Sequence, residues 1–250
     1  MDTRSYAIGD IHGHPEKLAR AHALIAEDRA RCGDAAAPVI HLGDLTDRGP
    51  DSRRVLDMLI DGIAGDAPWT VLLGNHDRLF RNFLDDPDWQ DPGLRPDLGW
   101  LDPRLGGDTT LESYGLAPVA GRDPYEVHRE AVARVPRAHR EFLAELPLWH
   151  ERGAALFVHA GIRPGVPMQE QSEDDLVWIR NGWLEDGRDH GRLVVHGHTA
   201  LERPRHFGNR VDLDGGAAYG RPLVPAVIED RAVWLLTEDG RVPLRPEPEA

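Results

Sequence analysis

The chain has 250 residues, with 43 Asp and Glu against 29 Lys and Arg and a formal net charge of -14. That length suits one domain with a sizeable core, and the acidic balance argues against a partner such as nucleic acid or an anionic membrane. The single cysteine, Cys32, excludes an internal disulfide; with no apolar run long enough for a leader or a membrane span, the expectation is a cytoplasmic chain.

Ser5-Tyr6-Ala7-Ile8 is a short apolar strand that empties into Gly9-Asp10-Ile11-His12-Gly13. Residues two apart in extended backbone face the same way, so Asp10 and His12 can reach one point while Ile11 faces the packing side. Pro15 can open a helix, and Leu18, Ala21, Leu24 and Ile25 recur at helical spacing as far as about Arg31. His22, beside that stripe, is expected to be packed. Val39-Ile40-His41-Leu42 forms a second strand that ends at Gly43-Asp44. Asp51 or Ser52 can cap the next helix, with Val55, Leu56, Leu59 and Ile63 on one face. A third strand over 69–73 empties into Gly74-Asn75-His76-Asp77. Strand, polar loop and helix thus alternate, the pattern of βαβ units in an α/β fold.

From 78 to 151 the pattern becomes turn-rich, with helices expected near 124–134 and 137–146. This stretch is expected to be an inserted cap without a core of its own, within a single domain over 1–240, followed by a frayed tail at 241–250. Strands return at 154–158, ending in His159, and at 193–195, ending in His196-Gly197-His198. Between them lies Leu176-Val177-Trp178-Ile179-Arg180. The β-rich remainder reads as an antiparallel meander closing a second sheet.

Five strands therefore end in ligand-type residues: Asp10 with His12, Asp44, Asn75 with His76, His159, and His196 with His198. One such ending is ordinary turn chemistry, but five at equivalent places are not. Oxygen and imidazole donors without thiolate suit Mn²⁺, with Fe or Zn²⁺ as alternatives, and there are enough for two ions. Two cations about 3.5–4 Å apart recur in phosphate-ester hydrolysis, where they make hydroxide available near neutral pH and neutralise phosphoryl charge. Asp44, an anion with two oxygens in the middle of the ligand order, is the natural bridge. His76 can protonate a leaving alkoxide if Asp47 orients it, and Arg48 and Arg180 are left to clamp phosphate.

Gly9-Asp10-Ile11-His12-Gly13, Gly43-Asp44-Leu45-Thr46-Asp47-Arg48-Gly49, Gly74-Asn75-His76-Asp77, His159-Ala160-Gly161 and Gly197-His198-Thr199 resemble the ordered motifs of the phosphoprotein phosphatase superfamily. The resemblance implies the calcineurin-like metallophosphoesterase fold, a two-sheet β-sandwich flanked by helices. It implies that Asp10 and His12 hold a first metal, that Asp44 bridges, and that Asn75, His159 and His198 hold a second. Asp47 with His76 would be the proton-donating dyad, and Arg48 and Arg180 would bind phosphate. His196 is read as lying behind the metal ligands. Two departures stand out: protein phosphatases commonly carry an arginine before Gly-Asn-His and a glutamate after it, where this chain has Leu73 and Asp77.

The first reading is a dinuclear-metal-dependent phosphoesterase acting on phosphoserine or phosphothreonine in proteins or peptides, or on another small phosphoester, by direct attack of metal-bound hydroxide. The alternative is a symmetric diadenosine tetraphosphate hydrolase releasing two ADP, for which Trp89, Trp100, Arg95 and Arg104 of the cap could supply stacking and cations, unless they are simply packing and solvated turns. A catalytically silent binding module would be expected to have lost a ligand or the dyad, and every position is filled.

Overall fold

A computed structural model describes residues 3–247. The chain runs through β1 (Ser5–Ile8), α1 (Pro15–Cys32), β2 (Val39–His41), α2 (Ser52–Ala64), β3 (Trp69–Val71), α3 (Asn75–Asp85), α4 (Gly107–Ser113), α5 (Pro124–Arg134), α6 (Arg137–Glu145), β4 (Trp149–Arg152), β5 (Ala155–Val158), α7 (Glu173–Trp178), β6 (Leu193–His196), β7 (Arg205–His206), β8 (Arg210–Asp212), β9 (Ala226–Glu229), β10 (Ala232–Thr237) and β11 (Gly240–Pro243). One sheet has the order β11-β10-β9-β1-β2-β3 and the other β4-β5-β6-β8-β7. β1, β2 and β3 are mutually parallel, with Ala7 opposite Ile40 and Ile40 opposite Thr70. In the second sheet β5, β6 and β8 are parallel.

Side-chain alternation builds the layers. Ala7, Ile40 and Leu42 meet Phe157, Val195 and Val211 in an apolar layer between the sheets. Tyr6, Ile8 and Val39 point the other way, into a cluster with Leu18, Leu24 and Ile25 of α1 and Val55, Leu56 and Leu59 of α2. On the far side of the second sheet, Leu156, Val158 and Val194 are covered by Leu176 of α7 with Ile162 and Trp183. Both faces of the central strands are buried, which is why they read as continuous apolar runs. α1 starts at Pro15 and stops where Gly33 turns left-handed and its N–H bonds Arg29 O. Asp51 caps α2 by accepting the Arg54 N–H at 3.0 Å.

The structure corrects four expectations. The closing meander β9-β10-β11 extends the first sheet rather than the second, with Tyr6 antiparallel to Val227. Ala226 and Ile228 face the layer between the sheets while Val227 faces the helices, so the apolar pattern announces a doubly buried strand but not its partner. The tail from 241 to 247 is tied down: Arg241–Pro243 lie in β11, Glu247 N–H bonds His206 O at 3.0 Å, and its carboxylate pairs with Arg203 and Arg205. Residues 248–250 of the expected tail lie outside the described residues. The 78–151 stretch starts inside α3 and ends within β4, a strand of the second sheet. Trp100, Leu111, Tyr114, Val127 and Leu143 from this stretch share the buried cluster of α1 and α2. Ile63, expected on the buried face of α2, is 40% exposed, because it sits in the last turn of the helix.

His22 stacks on Trp69 with ring centroids 4.3 Å apart, and its Nε2 lies 2.9 Å from His41 Nε2. Burial, with the charge of Arg29, lowers His22 to about 4. A histidine depressed in the folded state contributes stability that is present above its unfolded value near 6.5 and is lost as pH falls towards 4. Unfolding in urea should therefore show a loss of roughly 2 kcal/mol from this group between pH 7 and pH 5. His22→Phe should flatten the profile over that window, and an unchanged slope would exclude the assignment.

Candidate metal centre

The polar loops converge at one end of the sheets. Asp10 and His12 follow β1, Asp44 follows β2, Asn75 and His76 open α3, His159 follows β5, and His198 follows β6; all are buried. Gly43 and Gly74 let two of these loops touch, since a Cβ on Gly74 would lie 2.1 Å from Asp44 N. His12, Asp44, Asp47, Arg48 and His198 all have positive φ, five of the seven such non-glycine residues among those described. Backbone strain is therefore concentrated where the ligand-type side chains meet, as at other functional sites. Asp77 braces the loops: its Oδ1 accepts from Leu45 N, Thr46 N and Thr46 Oγ1, and its Oδ2 from Gly74 N. Burial, with the neighbouring charge of Asp44, pushes Asp77 up to about 7.

Two groups share Asp44. His12, Asp44 and His76 form one, and Asp44, His159 and His198 the other, each with its ligand atoms within 4.8 Å of one another. His159 Nδ1 lies 2.8 Å from Leu42 O. A carbonyl only accepts, so Nδ1 carries the proton; burial lowers the pKa of this ring and keeps it neutral. Its bare Nε2 then faces Asn75 Oδ1 at 3.0 Å and Asp44 Oδ1 at 3.3 Å, and His198 Nδ1 approaches the same Asn75 oxygen at 2.7 Å. His12 repeats the arrangement, donating from Nδ1 to Thr46 O at 2.9 Å and turning Nε2 towards Asp44 Oδ2 at 3.4 Å. Imidazoles that donate one N–H to a carbonyl and aim the other nitrogen at carboxylate oxygens are set up as metal ligands. A divalent cation is the partner that satisfies such a donor set at once, and the mix of oxygen and imidazole without thiolate fits Mn²⁺, Fe or Zn²⁺.

Asp10 stands apart from both groups. Its carboxylate accepts the His198 N–H at 3.0 and 3.2 Å. Burial, with the charges of Asp214 and Asp44, holds Asp10 well above the usual carboxylate range. His196 is engaged behind the centre, with Nδ1 3.0 Å from Gly197 O and Nε2 3.3 Å from Arg210.

His76 Nδ1 donates to Asp47 Oδ2 at 2.7 Å, joining the two residues expected as a dyad. Arg48 Nη1 lies 3.0 Å from His12 Nε2, and Arg180 Nη2 donates to His198 O at 3.3 Å, so both arginines border the centre. Tyr219, 59% exposed, holds its ring 5.7 Å from the Arg48 guanidinium carbon. Sequence reasoning passed over Tyr219, Asp214 and Thr110, and left Trp100 open between a stacking platform and simple packing. Trp100 is buried, stacks on Phe80 and donates Nε1–H to Asp47 Oδ2 at 2.9 Å, so it cannot serve as a base platform. Arg95 and Arg104 are paired with Asp97 and Asp102. Among the described residues, no helix is long and apolar enough to cross a membrane.

A family model for calcineurin-like phosphoesterases matches residues 3–220. The bis(5'-nucleosyl)-tetraphosphatase PrpE (asymmetrical) of Geobacillus thermodenitrificans strain NG80-2 is 28% identical over 244 residues, covering 86% of either chain. The protein of the same name from Anoxybacillus flavithermus strain DSM 21510 / WK1 is 25% identical over 237 residues, again 86% of each. Among solved structures, a cold-active protein-tyrosine phosphatase from a psychrophilic Shewanella species superposes with a TM-score of 0.63 at 14% identity, covering 97% of this chain and 80% of that one, a likeness of fold.

Proposed function

Because the chain belongs to the calcineurin-like phosphoesterase family, a family of metal-dependent hydrolases, we propose that the residues around Asp44 form a two-cation hydrolytic centre whose substrate is a dinucleoside tetraphosphate. The observation that carries the centre is the convergence of Asp44, Asn75, His159 and His198 oxygen and nitrogen atoms on one point, with His12 on the other oxygen of Asp44. Asp10, His12 and Asp44 would hold one cation, and Asp44, Asn75, His159 and His198 the other. Bound there, the cations would lower the pKa of water and neutralise charge on the phosphoryl group.

The chain's own groups do the rest. Arg48 and Arg180 hold phosphoryl oxygens, and His76, oriented by Asp47, gives its Nε2 proton to the departing oxygen. Water is the nucleophile; Cys32, the single thiol, lies at the far end of α1 against Arg241.

The substrate assignment rests on the shared name of the two relatives and on the surroundings of Tyr219. An exposed aromatic ring beside a phosphate-clamping arginine suits a nucleobase linked to phosphate. Lys17, whose Nζ contacts Ala217 O, and Arg221, whose Nη1 contacts Leu201 O, flank the same turn and offer cations for further phosphates. The second reading, a phosphoserine or phosphothreonine protein, is favoured by Arg48 at His12 and Arg180 at the His198 carbonyl, which supply cations enough for one phosphoryl group.

Mn²⁺-loaded protein should be assayed on diadenosine tetraphosphate and on a phosphoserine peptide, with products resolved by chromatography. The dinucleotide should be cleaved with the larger kcat/KM. Its products assign the cut: ATP with AMP for the asymmetrical mode in the relatives' name, two ADP for the symmetrical one. Tyr219→Ala should raise KM for the dinucleotide roughly tenfold, as expected for loss of one base stack, and leave p-nitrophenyl phosphate unaffected. Faster phosphate release from the peptide would overturn the dinucleotide reading in favour of the second.

A further inference from the structure

Asp47 is fully buried, yet only one of its partners belongs to the proposed dyad. Its Oδ2 accepts from His76 Nδ1 and also from Trp100 Nε1 at 2.9 Å; its Oδ1 accepts from Thr110 Oγ1 at 2.7 Å. Asp47 N–H in turn reaches Thr110 Oγ1 at 2.8 Å and Ser52 Oγ at 3.1 Å. Thr110 therefore holds both the backbone and the carboxylate of a residue whose φ is +71°. The loop before α4 is shaped for this approach. Gly106 at φ +85° accepts Arg48 N–H through its carbonyl, and a Cβ on Gly106 would lie 2.5 Å from Arg48 N. The Trp100 ring is fixed by Phe80 at 5.1 Å and Phe83 at 4.9 Å, both on α3, the helix that opens with His76.

We infer that Trp100 and Thr110, from the segment between α3 and α4 and from α4 itself, are positioning residues that lock the Asp47 carboxylate plane and so aim His76 at the leaving group. With both donors in place, one Oδ2 lone pair is left for His76 Nδ1–H, and the imidazole is held in a single orientation. Without them the carboxylate turns about its Cβ–Cγ bond in a pocket that no longer prefers one angle, and a misaimed proton donor loses rate in the bond-breaking step. The role explains why a stretch that contributes no metal ligand is packed into the main core. The inference rests on the reading of Asp47 and His76 as the proton-donating pair.

The test uses Trp100→Phe, which keeps the stacked ring and removes only the N–H, and Thr110→Val, which keeps the shape and removes the hydroxyl, with Thr110→Ser as the conservative restoration. Each is assayed with Mn²⁺ on p-nitrophenyl phosphate and phenyl phosphate, or on the matching thymidine 5'-phosphate diesters where these turn over faster, with His76→Asn as the reference. Melting temperature and metal content are recorded in parallel. Trp100→Phe and Thr110→Val should lower kcat on the phenyl ester about tenfold or more, with KM and metal content unchanged and the p-nitrophenyl ester within about twofold. Thr110→Ser should return most of the loss. If His76→Asn shows the leaving-group dependence but Trp100→Phe and Thr110→Val slow both esters equally or neither, the positioning role is overturned and the dyad stands. If His76→Asn itself slows both esters alike, the dyad reading fails and takes this inference with it. If one of the two variants fails to fold, the other carries the test alone, and equal loss on both esters, or none, counts against the proposal.

Discussion

Asp44→Asn should release both cations together and reduce kcat/KM by about a thousandfold or more, a loss of roughly 4 kcal/mol of transition-state stabilisation. Asp44 is the residue common to the two ligand groups, with Oδ2 3.4 Å from His12 Nε2 and Oδ1 3.3 Å from His159 Nε2. Asparagine keeps the oxygen that accepts His76 N–H at 3.0 Å but offers an amide nitrogen, with no lone pair for a metal, on the other side. Elemental analysis should give well under one metal per chain. A second readout is independent of turnover: wild type should be stabilised by Mn²⁺, by about 2.7 kcal/mol at a hundredfold excess over Kd, and the variant should lose that increment. Two metals retained with normal activity would rule out Asp44 as the bridge.

The residues at this centre are legible in the sequence because each lies directly after a parallel strand, where one-dimensional position translates into a place in space. Asp10, His12, Asp44, His159 and His198 follow β1, β2, β5 and β6, and the glycines among them mark the tight crossings. The apolar runs likewise announced buried strands, the periodic stripes announced α1 and α2, and helices were expected where α5 and α6 lie. What was not legible depends on pairing across distance. β9 could have joined either sheet, since Ala226-Val227-Ile228 satisfies a doubly buried position in both. Trp100 lies 53 residues and Thr110 63 residues from Asp47, and no local pattern distinguishes an indole that bonds a buried carboxylate from one that merely fills space. Asp77, noted as a departure from glutamate, turns out to gather four donors from two loops. The shorter acid fits because those donors lie against the first turn of its own helix.

His76→Asn separates proton donation from metal binding, the two roles its position allows. His76 belongs with His12 and Asp44 in one of the ligand groups, and its ring stands edge-on to His12 with centroids 4.9 Å apart. Its partner sets it apart from the other imidazoles. His12 and His159 give their Nδ1 protons to the neutral carbonyls of Thr46 and Leu42, whereas His76 gives its proton to the Asp47 carboxylate at 2.7 Å. A neutral carbonyl fixes a tautomer; a carboxylate also stabilises the imidazolium, the form that has a proton to give from Nε2. Asparagine at this position has no transferable proton, so turnover on substrates with poor leaving groups should fall by about 10²–10⁴. Esters of acidic phenols, which depart without protonation, should fall far less. Metal content should remain at two per chain, because Asp10, His12, Asp44, Asn75, His159 and His198, the ligands proposed for the two cations, are untouched. A variant that loses one metal and slows all substrates alike would place His76 on the cation instead, and Asp47 would then be the carboxylate behind a metal ligand rather than the partner of an acid.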